Sequence, residues 1–178
     1  MFLAGVLEAT TSFACWAVSH LVQNPAIQEA VYQEVKDVDS YTPDNLNQSI
    51  QLNRVLDETL RLTPSLYFLP RRATAGVWVE TADDRKMFIP KGTHILLDVW
   101  HANRVEETWG VEATGHRACD FAPDRWRVLA AGGQLPQSFH HFGFGHGPRS
   151  VRENSWDNSK SAWWWARSSR PSNLSRQI

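Results

Sequence analysis

A glycine-rich loop near the end of the chain constrains it most: Phe139–Arg149, which reads Phe-His-His-Phe-Gly-Phe-Gly-His-Gly-Pro-Arg. Three glycines alternate here with aromatic or histidine residues before Pro-Arg. Glycine adopts backbone angles that are closed to other residues, so this composition predicts a tight turn. Such a turn allows the backbone to lie against a flat group. The loop therefore predicts a binding cradle.

Length, charge and cysteine usage narrow the function classes. The 178 residues suffice for one domain with a core. A net charge of −1 gives no electrostatic case for binding nucleic acid or an anionic membrane. Cys15 and Cys119 lie far apart and lack Cys-x-x-Cys spacing, which argues against a disulfide scaffold or a zinc ribbon. Glu8 interrupts the apolar residues 1–22, and this disfavours a signal peptide or a membrane span.

Apolar spacing predicts three helices in the first third of the chain. Residues 1–22 carry apolar side chains at three- and four-residue steps. This helix starts without a capping residue, so we expect it to continue a longer one. Asn24-Pro25 is a helix start signal for a second helix that ends near Val38. A third helix is predicted over residues 48–62, because proline at position 64 disfavours helical geometry before it.

After the third helix, apolar residues recur at every second position, which predicts β-strands. Residues 77–79 and 87–89 are expected to form a hairpin, and residues 93–98 a further strand. Helix should return over residues 99–103, followed by an ordered coil up to Gln137. These patterns predict an α+β chain that is mainly α.

The loop resembles the haem-binding loop of the cytochromes P450, Phe-Gly-x-Gly-x-Arg-x-Cys-x-Gly. Phe144, Gly145, Gly147 and Arg149 fill its first half in order. The cysteine whose thiolate ligates the iron in that family corresponds to Val151.

Further motifs extend the resemblance over residues 1–150, and several look most like fungal members. It implies the C-terminal portion of a P450 domain, with a long oxygen-binding helix, following helices, a small β-sheet and the haem loop. The upstream helices and the membrane anchor of that family are expected to be missing. Residues 151–178 lack apolar periodicity, and we expect an aberrant, disordered tail there.

Glu58 and Arg61 lie three residues apart, so a helix places them on one face, where a solvated surface pair is the ordinary interpretation. Arg125 stands in a Phe-Ala-Pro-Asp-Arg-Trp segment further along. The resemblance implies that the three form a buried charge triad with a structural role.

The resemblance also implies site residues around the haem. Glu8 corresponds to the acid of the family's proton relay, with Thr10 as a substitute for its threonine; the alternative is a polar interruption of a core helix. Arg71, Phe144 and Arg149 correspond to haem contacts, although the neighbouring Arg72 could equally serve in place of Arg71, or both could be solvated. The predicted substrate pocket, which could instead be plain core, consists of Leu66, Tyr67, Phe68 and Leu69.

By resemblance, the family reaction inserts one oxygen atom from O₂ into a small organic substrate, with electrons from an NADPH-dependent reductase. Fungal secondary metabolism is one setting that it suggests, and family members usually reside in the endoplasmic reticulum membrane. Valine has no lone pair for iron, so we expect doubtful haem binding, no metal ligand and a pseudoenzyme. His140, His141 and His146 do not complete a zinc set. The alternative is a non-catalytic interaction protein that reuses the α/β scaffold.

Overall fold

The first three helices form where the apolar spacing predicts them. A computed structural model describes residues 2–38, 42, 45, 46, 48–81, 83–132 and 143, and for residues 2–6 the backbone alone. The helices are α1 (Phe2–Gln23), α2 (Pro25–Val35) and α3 (Ile50–Leu62). The predicted bounds hold to within three residues at each end.

The start of α2 is not capped as predicted, and the start of α3 is held by a side chain of α2. Pro25 occupies the first turn of α2 as predicted, but the Asn24 side chain donates to the carbonyl of His20 at 2.8 Å. Asn24 therefore ties α2 back to α1. At α3, the Glu34 carboxylate of α2 accepts from the backbone N–H groups of Gln51 and Leu52, both at 3.0 Å. A carboxylate is favourable there because the first N–H groups of a helix lack partners within it.

These helices pack around one apolar cluster. Its members come from the inward faces of α1, α2 and α3 and from Leu46 between α2 and α3, with a partly buried Phe121 from the later coil packed against them. The buried members are Phe13, Leu21, Val31, Val35, Leu46, Leu52, Val55, Leu56 and Leu60. Phe121 brings the coil onto the helical core, and the Glu58 region lies at this contact.

Two small antiparallel sheets follow α3. The hairpin is β2 (Val77–Glu80) with β3 (Lys86–Ile89), as the alternating pattern predicts. The second sheet pairs β1 (Phe68–Arg72) with β4 (His94–Asp98). Strand β1 was not predicted, because its five residues include a proline and two arginines and show no alternation. Its pairing with β4 overrides this weak local preference.

The segment predicted as coil contains short helices. They follow α4 (Val99–Ala102), which confirms the helix predicted over residues 99–103. The short helices within the predicted coil are α5 (Glu106–Trp109), α6 (Val111–Thr114) and α7 (Arg125–Ala131). Gly115 ends α6 with a φ of 78°, the left-handed cap that glycine adopts without strain. Trp109, Ala118 and Leu129 form a second buried cluster with Trp126 against it. The coil prediction missed these helices because each spans two turns or fewer and shows little periodicity.

The described residues thus form a mainly helical chain with two small antiparallel sheets, as the sequence predicts. Within the part of the chain that the structure describes, we find no helix with the length and apolar character needed to span a bilayer.

Candidate functional site

Glu58 is the centre of a buried polar cluster that several hydrogen bonds hold together. It lies on the buried face of α3 with 0% exposure. Its Oε1 accepts from Arg61 Nη2 at 2.8 Å and from Arg125 Nε at 3.2 Å. The backbone N–H of Ala122 also donates to Oε1, at 3.1 Å. One carboxylate therefore joins α3 to the start of α7 and to the residue three positions before it.

Arg61 connects the same point to two distant stretches of backbone. Its Nε donates to Glu58 Oε2 at 2.9 Å. Its Nη1 donates to the carbonyls of Asn103 at 2.7 Å and Ala118 at 2.8 Å. The guanidinium also lies over the Trp109 ring, 5.1 Å from the centroid, in cation–π geometry. Because the group is planar with five donors, it can hold several acceptors at once.

Arg125, at the start of α7, also binds both the Glu58 carboxylate and distant backbone carbonyls. Besides its bond to Glu58, its Nη1 donates to the carbonyl of Trp109 and to Thr114 Oγ1, the latter at 2.6 Å. Its Nη2 donates to the carbonyl of Arg117 at 2.9 Å. The two guanidinium groups therefore satisfy carbonyls that no regular helix or strand would pair.

The structure brings Glu58, Arg61 and Arg125 together, and all three are 0% exposed. The surface-pair interpretation of Glu58 and Arg61 is therefore wrong. Desolvation raises the pKa of Glu58, but the hydrogen bonds and charge of Arg61 and the charge of Arg125 outweigh it, and the net direction is downward. The carboxylate is ionised and serves as the counter-charge of both arginines.

The neighbouring Asp57 has the opposite electrostatic environment. Burial, followed by repulsion from the Glu58 carboxylate, raises the pKa of Asp57 to about 6. Residues i and i+1 do not face each other on a helix, so Asp57 does not share the arginine contacts of Glu58.

Sequence reasoning missed one further contact to the cluster. The indole Nε1 of Trp126 donates to Glu58 Oε2 at 3.1 Å, and its ring lies 5.6 Å from that of Trp109. The adjacency of Arg125 and Trp126 was visible in the sequence. The direction of the indole was not, because the short helix α7 sets it.

The predicted relay residues lie along α1. Glu8 is exposed and lines an open cleft of about 570 Å³ with Leu7, Thr11 and Ser12. Thr10 is half-buried. The hydroxyl that shares this cleft with the carboxylate is thus that of Thr11 or Ser12. The relay role of Glu8 and Thr10 stays a prediction.

The predicted pocket segment is mixed in exposure. Leu69 is buried at 8%, whereas Leu66, Tyr67 and Phe68 are exposed at 62%, 39% and 49%. The preceding Ser65 donates from its Oγ to the carbonyl of Ala9 at 3.1 Å. This bond places the segment beside the start of α1, next to the Glu8 cleft. The plain-core alternative therefore holds for Leu69 alone.

The predicted haem contacts are only partly within the described residues. Arg71 lies on β1 opposite Ile95, and its Nη1 donates to the carbonyl of Pro70 at 2.9 Å. Phe144, Arg149 and Val151 lie outside the described residues, as do His140, His141 and His146. Their predicted roles are neither supported nor contradicted by the geometry.

Cys15 and Cys119 are both free and exposed. Across the described parts of the chain, no three histidine, cysteine or acidic side chains are grouped so that they could hold a metal ion.

Comparison of the chain with known proteins shows the family to which it is similar. The family model for cytochrome P450 matches residues 1–150. The chain belongs to the cytochrome P450 family. Probable cytochrome P450 313a3 of Drosophila melanogaster is 31% identical over 132 residues, which are 71% of this chain and 26% of that protein.

Steroid 17-alpha-hydroxylase/17,20 lyase of Macaca fascicularis is 28% identical over 155 residues, and the human protein of the same name is 27% identical. Each match covers 84% of this chain and 28% of the relative. The chain thus spans little more than a quarter of the P450 relatives that it matches. These relatives are animal proteins, and the likeness to fungal members stays a prediction.

Proposed function

We propose that this chain is a P450-family polypeptide that, with valine at position 151, does not catalyse haem-thiolate monooxygenation. The proposal rests on Val151, which stands where the resemblance places the family's cysteine ligand. A branched hydrocarbon side chain has no electron pair for iron, whereas the thiolate of a P450 favours O–O cleavage by donating electron density. The donor set therefore does not fit a thiolate-ligated haem.

Neither cysteine of the chain compensates for this valine. Cys15 lies within α1 and is exposed, and Cys119 precedes Asp120, to whose carboxylate its thiol hydrogen-bonds at 3.9 Å. Neither residue belongs to the loop at 139–149.

The proposed scaffold role rests on the Glu58 cluster. It gathers α3, the stretch from Asn103 to Asp120 and the start of α7 around buried charges. In the family, the equivalent triad supports the coil beneath the haem. We assign the same structural role here, within a partial P450 domain over residues 1–150.

The family's substrate class and partners are also proposed for this chain. The exposed apolar side chains of Leu66 and Phe68, which follow the Ser65 contact to α1, suit a small organic substrate better than a charged one. Arg71 on β1, with Phe144 and Arg149 from the loop, would approach the haem and its propionates. A restored ligand at position 151 would be required before an NADPH-dependent reductase could deliver electrons to any bound iron.

The test is a reduced, carbon monoxide-bound spectrum of the full chain produced with haem available. We expect no thiolate-type Soret band from the unsubstituted protein, and we expect the Val151→Cys variant to show that band. Val151→Ala is the matched control, since it changes side-chain size without adding a donor. A thiolate-type band from the unchanged protein would refute the proposal.

A second candidate is the non-catalytic interaction protein. The observation that favours it is the β2–β3 hairpin, where Trp78 and Phe88 are 66% and 48% exposed and their rings lie 5.1 Å apart. Large exposed aromatic pairs are typical of contact surfaces. Cooperative unfolding without haem uptake, even in Val151→Cys, would favour this function over the first.

A further inference from the structure

An exposed apolar face lies between the start of α1 and the β1–β4 sheet. We define the apolar face by four residues: Leu7, Leu66, Phe68 and Leu96. Their exposures are 71%, 62%, 49% and 62%. Leu96 pairs with Pro70, so it shares a face of the sheet with Phe68, two residues earlier on β1. The bond from Ser65 to the Ala9 carbonyl brings Leu66 close to the α1 end of this face.

The same chain carries a segment whose chemistry complements this face. Residues 151–178 contain four of the nine tryptophans, three of them consecutive at Trp163–Trp165. A tryptophan side chain buries about 150–250 Å² when it packs, so three in a row can cover a face of this kind. We infer that the Trp163–Trp165 run packs on the apolar face of its own chain.

Charge supports the same pairing. Residues 151–178 hold five basic and two acidic residues, a net charge of +3, which leaves −4 for residues 1–150 of a chain whose total is −1. The exposed carboxylates of Glu8 and Asp98 border the apolar face, since Glu8 shares a cleft with Leu7 and Asp98 lies opposite Phe68. Lys160 and Arg167 flank the tryptophans and can approach these carboxylates.

The connection is long enough for this contact. Nineteen residues lie between Gly143, the last described residue, and Trp163. Fully extended they span up to about 65 Å, whereas a domain of this length has a radius of gyration of roughly 16 Å. A tether of this kind gives an effective concentration on the order of millimolar, so a modest affinity is sufficient. The inference does not depend on haem binding.

A contact-quenching experiment tests this proximity. Cys15→Ser and Cys119→Ser remove the native thiols, and Leu66→Cys provides a single attachment point for a bimane dye, which tryptophan quenches on contact. We expect the dye to brighten several-fold when Trp163, Trp164 and Trp165 are all replaced by serine. These replacements leave every described residue unchanged. Leu96→Cys supplies a second label on the apolar face, and Ile50→Cys, at the exposed start of α3, is the control label.

The outcomes are distinct. Brightening at positions 66 and 96, with none at 50 and no dependence on protein concentration, supports the inference. Unchanged emission at both face labels overturns it and agrees instead with a disordered tail. Quenching that disappears on dilution also overturns it, because the tryptophans would then come from a second copy.

Discussion

The Glu58 cluster and the β2–β3 hairpin both contain ion pairs, yet the two regions differ in what those pairs can contribute. Glu58 and Arg61 are 2.8 Å apart with both side chains 0% exposed. Glu80 and Lys86 on the hairpin are 3.5 Å apart with both side chains 69% exposed. Water and salt screen the second pair, whereas the first depends wholly on its protein partners. Burial, more than the pairing itself, therefore decides which charges maintain this fold.

The largest expected effect follows from removing the central charge. Glu58→Gln leaves Arg61 and Arg125 buried without their counter-charge, and we expect a loss of about 3–5 kcal/mol in the free energy of unfolding. Urea unfolding followed by circular dichroism measures it. Glu80→Gln is the matched control. A loss below about 1 kcal/mol for Glu58→Gln would contradict the comparison.

Trp126→Phe tests the contact that the sequence did not reveal. An aromatic ring is kept, although a smaller one, and the indole N–H that donates to Glu58 Oε2 is lost. Hydrogen bonds to charged groups contribute about 1.5–3 kcal/mol, and we expect a loss of that size. The same urea series measures it, with the exposed Trp78→Phe as control. Equal effects of the two substitutions would show that the indole bond contributes little.

Asp57→Asn should have the opposite sign. The pKa of Asp57 is raised from 3.8 to about 6 in the folded chain, so the folded state binds this proton more tightly than the unfolded state. Ionised Asp57 therefore destabilises the fold fully above pH 6, progressively less between pH 6 and 4, and not at all below both pKa values.

We expect Asp57→Asn to raise the free energy of unfolding by roughly 1–2 kcal/mol at pH 7 and to leave it unchanged near pH 3.5. Paired urea titrations at the two pH values measure this difference. A gain of equal size at both pH values would mean that the charge is not its cause.

The smallest effect is expected on the hairpin. Glu80→Gln and Lys86→Gln should each change the free energy of unfolding by no more than about 0.5 kcal/mol, because both side chains are exposed. Repeating the measurement in 1 M salt sharpens the comparison. The hairpin pair should lose what little it contributes, while the Glu58→Gln loss should persist. A salt-sensitive Glu58 effect would show that water reaches the cluster.

Local pattern was sufficient for the long elements. The helices α1, α2 and α3 carry regular apolar spacing, and the hairpin shows clean alternation, so their positions follow from the sequence. Strand β1 could not be predicted in this way, because Pro-Arg-Arg does not suggest a strand and its conformation depends on the pairing with β4. The short helices between Glu106 and Ala131 could not be predicted from local pattern either, since side chains from elsewhere in the chain determine their conformation.

The candidate site shows the same division. Spacing places Glu58 and Arg61 on one face, but their burial could not be derived from the pair alone, because a surface pair has the same spacing. The resemblance supplied Arg125. It could not supply Trp126, the carbonyls that the arginines bind, or the raised pKa of Asp57, since each depends on packing between segments far apart in the chain.

The carbonyls collected by Arg61 have a consequence for the order of folding. Asn103 and Ala118 lie 42 and 57 residues beyond it, so these bonds form only after long loops have closed. Contacts between residues distant in sequence slow folding, whereas helices form from neighbours. On refolding, α1 to α3 should assemble early, and capture of the following backbone by the two guanidinium groups should be the slow final event.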